Sequence, residues 1–327
     1  MKIRTGLTTF MGLLLCTGVQ AQTFCVFDMV GGQGPLATAM REYATQAKAW
    51  GADITVRPYT SERVAAEDLK VGKCDAALLT GVRARQFNQF TGSIDSIGGL
   101  PGYPQLKLLI STLARPEAGK LMTSGNYEIA GLLPLGAAYI FLRDRHINSV
   151  AKMAGKRIAV LDYDKAQQVM ANRIGAQPVM SDVATFSGKF NNNQVDVAVA
   201  PAVAYLPLEL YKGVGSQGVV LKMPVAQLTF QMIIRPEKFP AGFGQRSRQY
   251  FLGQLDGALK TIRSAEDDIL FFFPPPDGSE PQYREMMRQA RISMTQQGIY
   301  HPKMMNLMKK TRCHVEPQQP ECSDNLE

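Results

Sequence analysis

The pattern Gly32-x-Gly34-x-x-Ala37 lies between a short apolar run and a helical pattern, and it matches the Ala-ending form of the dinucleotide-binding fingerprint. Backbone amides at such a helix N-terminus favour a pyrophosphate. Pro35 removes one of these amides, however, and the next predicted strand ends in Arg57-Pro58, where a ribose-binding acid would stand. Glycines of this kind more often make a tight strand-to-helix turn. A nucleotide-binding oxidoreductase is therefore the less favoured alternative.

Polar side chains also follow the ends of several predicted strands, where open α/β sheets bind ligands. As general acids or bases these carboxylates lack an evident partner, whereas as hydrogen-bond acceptors for a ligand they need none. Asp164 equally fits a cap for the helix that it starts, and a single arginine such as Arg83 is more often solvated. We predict no catalytic residue, and the predicted ligand-binding residues are Asp28, Gly32, Thr80, Arg83, Tyr139, Asp162, Tyr163, Asp164, Pro201 and Tyr205.

The residue types that bind metals do not cluster. His146, His301 and His314 are scattered, and no Cys-x-x-Cys occurs. Methionines in the C-terminal part could bind Cu(I), but their helical spacing favours core packing. We therefore predict no metal and no cofactor; the methionines in question are Met286, Met287, Met294, Met304, Met305 and Met308.

The first residues have the pattern of a secretory signal peptide. Lys2 and Arg4 precede the apolar residues Phe10 to Leu15, and Val19-Gln20-Ala21 is a small-residue cleavage pattern, so we predict a mature chain that starts at Gln22. No later segment approaches the roughly 20 apolar residues that a membrane-spanning helix needs. We expect a periplasmic protein that is not embedded in the membrane.

Cleavage at this point removes Cys16 and leaves Cys25, Cys74, Cys313 and Cys322, an even number in an oxidising compartment. Two disulfides are expected, and four cysteines allow three pairings. Cys25 and Cys74 each begin an apolar run. If these runs are neighbouring parallel strands, the two sulfurs start level with each other, and Cys313 and Cys322 then close a short loop in the tail.

The formal net charge is +8, and Lys2 and Arg4 belong to the predicted signal peptide. The remaining basic residues are dispersed. The densest basic cluster, Lys309-Lys310-Thr311-Arg312, lies in a predicted C-terminal helix, where positive charge complements the helix dipole. A nucleic-acid-binding protein would show a clustered basic face, so we predict no nucleic-acid partner.

Strands and helices alternate in two parts of the chain, which predicts two α/β lobes with parallel strands. Two β-type runs, Ala137 to Leu142 and Ala226 to Ile234, could cross from one lobe to the other and form a hinge. Periodicity predicts helices in the C-terminal third, at residues 245–262, 265–272, 281–297 and 302–312.

The expected fold class is therefore α/β, a two-lobed periplasmic binding protein fold (type II-like) with inter-lobe crossing strands and a helical C-terminal wrap. A mature chain of this length is longer than a single hydrophobic core usually accommodates, which favours two lobes. The predicted organisation is a signal peptide at 1–21, lobe 1 at 22–136 with 227–272 returning to it, lobe 2 at 137–226, and C-terminal helices with a disulfide-closed tail at 273–327.

The segment RHINSVAKMAGKRIAV, residues 145–160, resembles the substrate-binding proteins of TRAP (tripartite ATP-independent periplasmic) transporters, which are also called DctP-like. That family runs from an Ile-Asn-Ser turn into a Gly-Leu-Lys strand at this place. The resemblance continues at 175–178 and 193–196, and a weaker one covers 36–75, where Gly72-Lys73-Cys74-Asp75 resembles the family's Gly-x-x-Asp. The overall pattern is also similar to the AdeT-like group of solute-binding proteins.

This resemblance implies a scaffold that captures a ligand, with membrane transporter subunits as partners. It also implies three ligand-binding positions, two arginines and an asparagine, which fall here on Ala159, Tyr139 and Ala200. In the TRAP family the arginine at the place of Ala159 binds both oxygens of the ligand carboxylate. The departures leave room for a larger, neutral or cationic ligand contacted by Tyr139, Asp162 and Tyr163.

The predicted function is thus that of an exported solute-binding protein, not an enzyme, which captures a small molecule between two lobes for a TRAP-like transport system. Its ligand recognition would not use the family's usual carboxylate clamp. The alternative is an adaptor of a membrane transport or efflux complex that binds no small ligand.

Overall fold

The computed structural model describes residues 21–327. Apart from Ala21, the predicted signal peptide lies outside the described residues. No helix within this described range is long and apolar enough to cross a membrane.

The first lobe begins with alternating strands and helices, as predicted. Strand β1 pairs in parallel with both β2 and β3, so the lobe starts with a parallel sheet. Pro35 occupies the first turn of the first helix, which buries Met40, Tyr43 and Ala47 at steps of three and four residues. The elements are β1 (Gln22–Phe27), α1 (Pro35–Ala47), β2 (Ile54–Tyr59), α2 (Glu62–Lys70) and β3 (Ala76–Thr80).

Short helices complete this lobe before the chain enters its first crossing strand. Among them, the helix Tyr103–Leu113 buries Leu106, Leu109, Ile110 and Leu113 along one face. The elements are α3 (Gly81–Ala84), α4 (Gln89–Gly92), α5 (Tyr103–Leu113), α6 (Gly119–Met122), β4 (Thr123–Ser124) and β5 (Tyr127–Leu142).

The second lobe repeats the alternation. Its strands β6, β7 and β8 are parallel to one another, and the chain then returns through the second crossing strand. The elements are β6 (Arg157–Leu161), α7 (Lys165–Arg173), β7 (Gln177–Ser181), α8 (Phe186–Asn191), β8 (Val197–Pro201), α9 (Leu210–Val214) and β9 (Val219–Ile234).

The two lobes share one continuous sheet with the main strand order β2-β1-β3-β9-β5-β8-β6-β7. At its centre β5 and β9, each of 16 residues, form a long antiparallel pair that belongs to both halves. Both strands are longer than the predicted runs of 137–142 and 226–234. The β5/β9 register shifts between Pro134 and Gly136 and again between Ala138 and Ile140, so the pair bends midway.

Four more elements form the C-terminal part: α10 (Phe243–Asp267), β10 (Phe272–Phe273), α11 (Glu280–Gln296) and α12 (Pro302–Val315). Helix α11 spans both lobes, since Tyr283 joins a core cluster of the second lobe and Met294 the large cluster of the first. The expected wrap is thereby confirmed. Met287, Met294, Met304, Met305 and Met308 are buried, as core methionines are.

The predicted helix at 265–272 is wrong. Helix α10 continues to Asp267, and Phe272–Phe273 form a short strand beside β9. Phe271 has φ 54°, which no right-handed helix contains, and Pro274 disfavours helix for the residue before it. Packing beside β9 stabilises the aromatic residues of this segment more than a helix would. There the centre of the Phe272 ring lies 4.8 Å from that of Tyr139.

Both expected disulfides, Cys25–Cys74 and Cys313–Cys322, are confirmed. The register differs from the expectation, because Cys25 lies opposite Ala77 in the β1–β3 pair. Cys74 precedes β3, and the chain there brings its Cα to 5.9 Å from that of Cys25. The first disulfide therefore ties the start of β3 to the centre of β1.

Candidate ligand-binding cleft

A cavity of about 260 Å³ lies where the two half-sheets and the crossing strands meet. Both lobes line it, the first with residues at the ends of β1 and β3, and the second with residues of β6, α7 and β8. Most of its lining is apolar and comes in part from Phe27, Met29, Val82, Leu135, Ala138, Ile140, Ala159, Val160, Ala226, Leu228, Phe230, Met286 and Met287. In the described chain, Asp95 and Asp164 are its only charged lining residues.

A buried ion pair crosses the cleft. Arg85 follows α3 in the first lobe, and its Nη1 lies 2.9 Å from Oδ1 of Asp164 in the second lobe. Asp164 Oδ1 also accepts the Ala166 N–H at 3.1 Å and so caps α7. Burial opposes the charge of Arg85, but the Asp164 carboxylate outweighs it and raises the pKa of the guanidinium. Asp164 thus combines the cap with a contact between lobes.

A second polar group crosses the cleft beside the first. The Tyr163 hydroxyl of the second lobe donates to Glu62 Oε2 in α2 at 3.0 Å, and Arg83 Cζ lies 3.3 Å from the centre of the Tyr163 ring. Glu62 Oε2 is also 3.5 Å from Arg83 Nε, while Oε1 accepts the Thr80 N–H at 2.7 Å. Burial raises the pKa of Glu62 despite these partners. We call the Arg85–Asp164 pair and the Glu62–Arg83–Tyr163 group the cleft bridges.

Asp95 is a buried carboxyl group at the cavity wall. Its Oδ2 accepts the Thr229 N–H at 3.1 Å, and its Oδ1 accepts the Thr229 hydroxyl at 2.7 Å. Gly81 permits this approach, because a Cβ there would lie 2.4 Å from Thr229 Oγ1 and 2.5 Å from Asp95 Oδ1. Burial raises the pKa of Asp95 to about 7. This carboxyl therefore changes its charge near neutral pH.

Comparison with known families matches residues 30–327 to the family described as "Solute-binding protein AdeT 1/2". The chain belongs to this family. It is 46% identical over 304 residues to the probable solute-binding protein AdeT1 of Acinetobacter baumannii, covering 92% of this chain and 100% of that relative. The probable solute-binding protein AdeT2 of the same organism is 30% identical over 241 residues, which cover 71% of this chain and 98% of AdeT2.

Solved structures of TRAP periplasmic solute-binding proteins share the fold of this AdeT-family chain. The protein from Desulfovibrio salexigens with bound orotic acid superposes with a TM-score of 0.71 at 14% identity, covering 90% of this chain and 99% of the other. The protein from Ralstonia eutropha H16 with bound (S)-2-acetolactate gives a TM-score of 0.73 at 12% identity and the same coverage. The expected resemblance and the type II-like fold class are confirmed.

In this AdeT-family protein the cleft brings together Thr80, Arg83, Tyr163, Asp164 and Pro201 of the predicted site. Thr80, Asp164 and Pro201 line the cavity itself. Arg83 and Tyr163 belong to a cleft bridge. The other predicted residues, Asp28, Gly32, Tyr139, Asp162 and Tyr205, are not among the residues that line the cavity.

The carboxylate of Asp28 binds its own loop. Oδ2 accepts the N–H groups of Leu36 and Ala37, at 2.9 and 3.0 Å, and Oδ1 accepts that of Val30 at 2.9 Å. A Cβ at Gly34 would lie 2.1 Å from this carboxylate. The amides that would bind a pyrophosphate in the dinucleotide interpretation are therefore occupied by Asp28, and the glycines make room for it. Gly32 lies in the same loop.

Tyr139 points away from the cavity, although its neighbours Ala138 and Ile140 line it. Alternate residues of a strand face opposite sides, and the Tyr139 hydroxyl donates to Glu266 Oε1 of α10 at 2.7 Å. Burial and this carboxylate raise the pKa of Tyr139. This hydrogen bond thus links helix α10 to crossing strand β5.

We expect Tyr139→Phe to lower the free energy of unfolding by about 1.5 kcal/mol, because a hydrogen bond to a charged group is lost in a part-buried site. Denaturant titration followed by circular dichroism measures the change. Tyr211→Phe, at an exposed tyrosine, is the control and should change stability by less than about 0.5 kcal/mol. Equal stability of the two variants would contradict a fastening role for Tyr139.

Asp162 and Tyr205 lie outside the cavity for different reasons. Asp162 is exposed, and its backbone carbonyl accepts the Gln168 side-chain amide at 3.0 Å. Tyr205 is buried in the second lobe, where its ring stacks on Phe141 and its hydroxyl accepts the Leu270 N–H at 3.4 Å. Both residues follow strand ends, yet neither lines the cavity.

Sequence reasoning missed two residues of the cleft bridges, Glu62 and Arg85. It also missed the cavity-lining residues Asp95, Tyr283 and Tyr300. Glu62 occupies the first turn of α2, a usual place for an acidic residue, so nothing marked it as a cleft residue. Asp95 lies in a turn after α4, and the tyrosines belong to the C-terminal part, far along the chain. Of the three positions implied by the TRAP resemblance, only Ala159 lines the cavity.

Proposed function

We propose that this protein captures a small ligand by closing its two lobes over the cleft and delivers it to a TRAP-like membrane transport system outside the cytoplasmic membrane. The observation that carries the proposal is the pair of cleft bridges, each of which joins side chains of different lobes above one apolar cavity. Such contacts form only when the lobes are together. The binding cycle needs no catalytic group, so we propose a binding protein and not an enzyme.

The cleft bridges suit a reversible closure. Closing buries Arg85 with Asp164, and the desolvation of two such charges roughly cancels their attraction. The bridges alone therefore favour closure only slightly, and the apolar contacts of a ligand supply the difference. A ligand that contacts both lobes shifts the equilibrium by its differential affinity for the closed form.

Ligand recognition in this cleft must differ from the binding of a ligand carboxylate by an arginine. The cavity wall carries Ala159 where the TRAP resemblance implies an arginine, and no lysine or arginine of residues 21–327 is among its lining residues. An anionic ligand would therefore be desolvated without a guanidinium among the lining residues to pair with it. This supports a ligand that is not an organic anion.

A distance measurement between the lobes tests the closure. Ala39 in α1 and Ala184 in the second lobe are exposed, so spin labels on Ala39→Cys and Ala184→Cys report the lobe separation by pulsed electron resonance. Since Cys25, Cys74, Cys313 and Cys322 form disulfides, labelling is specific. We expect one short distance in natively purified protein and a longer population after the ligand is stripped with denaturant.

In the same labelled background Arg85→Met/Tyr163→Phe should shift the distribution towards the longer distance, because it removes contacts of both cleft bridges. The control Arg284→Met, at an exposed helical pair with Glu280, should leave the distribution unchanged. One identical distance in native, stripped and bridge-deficient protein would contradict a closing cleft.

Native mass spectrometry tests the capture itself. Protein released gently from the periplasm of a Gram-negative host is expected to carry a small molecule in the cavity. The native mass then exceeds the mass measured under denaturing conditions. Ala159→Trp, which fills the cavity from its wall, should abolish this excess while the protein remains folded. An equal excess of native over denatured mass in the two proteins, or no excess in either, would count against capture in this cavity and favour the adaptor alternative.

A further inference from the structure

We infer that the ligand of this cleft is a hydrophobic organic ammonium compound whose positive charge is neutralised by Asp95. This inference rests on the proposed capture function and names the chemical class of the captured molecule. Three features of the cavity carry it: its charge balance, its apolar wall and one buried hydroxyl group.

The charge balance of the closed cleft leaves one carboxyl without a direct cationic partner. Asp164 is paired with Arg85 at 2.9 Å, and Glu62 lies 3.5 Å from Arg83. Asp95 receives its hydrogen bonds from the neutral N–H and hydroxyl groups of Thr229. No lysine or arginine in the described range lines the cavity. A bound cation would therefore give Asp95 the direct cationic partner that the other two carboxyls already have.

The protonation of Asp95 follows from the same environment. Burial disfavours its charged form, the hydrogen bonds from Thr229 and the charge of Arg85 favour it, and Asp164 opposes it, so that the pKa is about 7. A cation beside the carboxyl would favour the charged form, so ligand binding should release a proton from Asp95 near neutral pH. The buried group is thus poised to be charged when a cation arrives.

The rest of the cavity suits an apolar body with one more polar group. Aliphatic and aromatic side chains dominate the wall. The volume of about 260 Å³ is just below the range of about 300–1,000 Å³ for ligand pockets and therefore suits a small ligand. Tyr283 lines the cavity and is fully buried, and its hydroxyl has no hydrogen-bond partner within residues 21–327. Burial raises its pKa to about 12, so it remains a neutral donor. An acceptor atom on the ligand would satisfy it.

Matched probes of one shape test the charge preference. Ligand-stripped protein is titrated by calorimetry with 4-phenylbutylamine, 4-phenylbutanol and 4-phenylbutyrate at pH 8. We expect the ammonium compound to bind at least tenfold more tightly than the alcohol, and the carboxylate more weakly than either. The amine's affinity should fall about 30-fold from pH 8 to pH 5.5, the protonation penalty of a carboxyl with a pKa near 7.

Asp95→Asn supplies the decisive variant. An asparagine can keep both contacts with Thr229, because its oxygen accepts the N–H and its amide donates to the hydroxyl oxygen. The variant should bind the amine and the alcohol equally and lose the pH dependence. Asp256→Asn, at an exposed carboxylate paired with Lys107, is the matched control and should retain the preference.

The outcomes separate the two proposals. Preference for the alcohol or the carboxylate, or a natively bound molecule without a cationic nitrogen, overturns the inference but leaves capture standing. A preference for the amine that survives in Asp95→Asn overturns the role of Asp95. Capture itself is contradicted by a lobe distance that never changes, or by protein that retains no molecule from the periplasm.

Discussion

The double variant Cys25→Ala/Cys74→Ala is expected to lower the free energy of unfolding by about 4 kcal/mol. The disulfide joins residues 49 positions apart, and in the loop-entropy account a longer closed loop gives more stabilisation. Both cysteines are fully buried, so their removal also leaves space in the core of the first lobe. Guanidinium chloride unfolding followed by circular dichroism measures the loss.

The control is Cys313→Ala/Cys322→Ala, which opens a loop with a separation of only 9 residues in the tail. The same relation gives about 3 kcal/mol for this loop, and the tail leaves less core space than the first lobe does. Equal or reversed losses would contradict the view that the first disulfide secures the β1–β3 pair.

Glu321→Gln is expected to lower the free energy of unfolding by about 3 kcal/mol, because it removes a carboxylate from a buried arginine cluster. Glu321 contacts Arg312 at 2.6 Å through Nε and Arg291 at 3.3 Å through Nη2. The two arginine side chains are only 5% and 3% exposed. This loss is at the low end of the range of about 3–5 kcal/mol for removing one partner of a buried ion pair, because Glu327 still contacts both arginines.

The pH dependence of this stabilisation has a definite sign. Burial opposes the charge of Glu321, but hydrogen bonding and attraction from Arg312 prevail and lower its pKa from 4.5. Its contribution is therefore fully present above pH 4.5 and is lost as the pH falls through the lowered folded-state value. The difference between wild type and Glu321→Gln should shrink below this pH.

Glu285→Gln is the matched control for this cluster. Glu285 lies in the same region, but its side chain is 56% exposed and 3.7 Å from Arg288. An exposed pair of this kind contributes about 0–1 kcal/mol. Similar losses for the variants at Glu285 and Glu321 would show that the buried cluster does not stabilise the tail.

The periodic segments of the sequence predicted most of the fold. The apolar runs of β1 and β3, the buried face of α1 and the repeated alternation in the second lobe report local preferences, and the structure has these elements within a few residues of the predicted positions. The segment 265–272 failed because aromatic packing of Phe272 beside β9 overrode a helical pattern. Tertiary contacts decide such short apolar runs.

Strand ends predicted the site less well, because a position after a strand does not fix the direction of a side chain. Asp28 and Tyr163 both follow strands, yet the first caps its own helix and the second reaches Glu62 in the other lobe. The sequence by itself determined the two α/β lobes, the cysteine set and the alanine at position 159, where the TRAP resemblance implies an arginine. Only the tertiary structure decided the cleft bridges and the place of Asp95, since these contacts join residues up to 134 positions apart and depend on how the bent β5–β9 pair brings the lobes together.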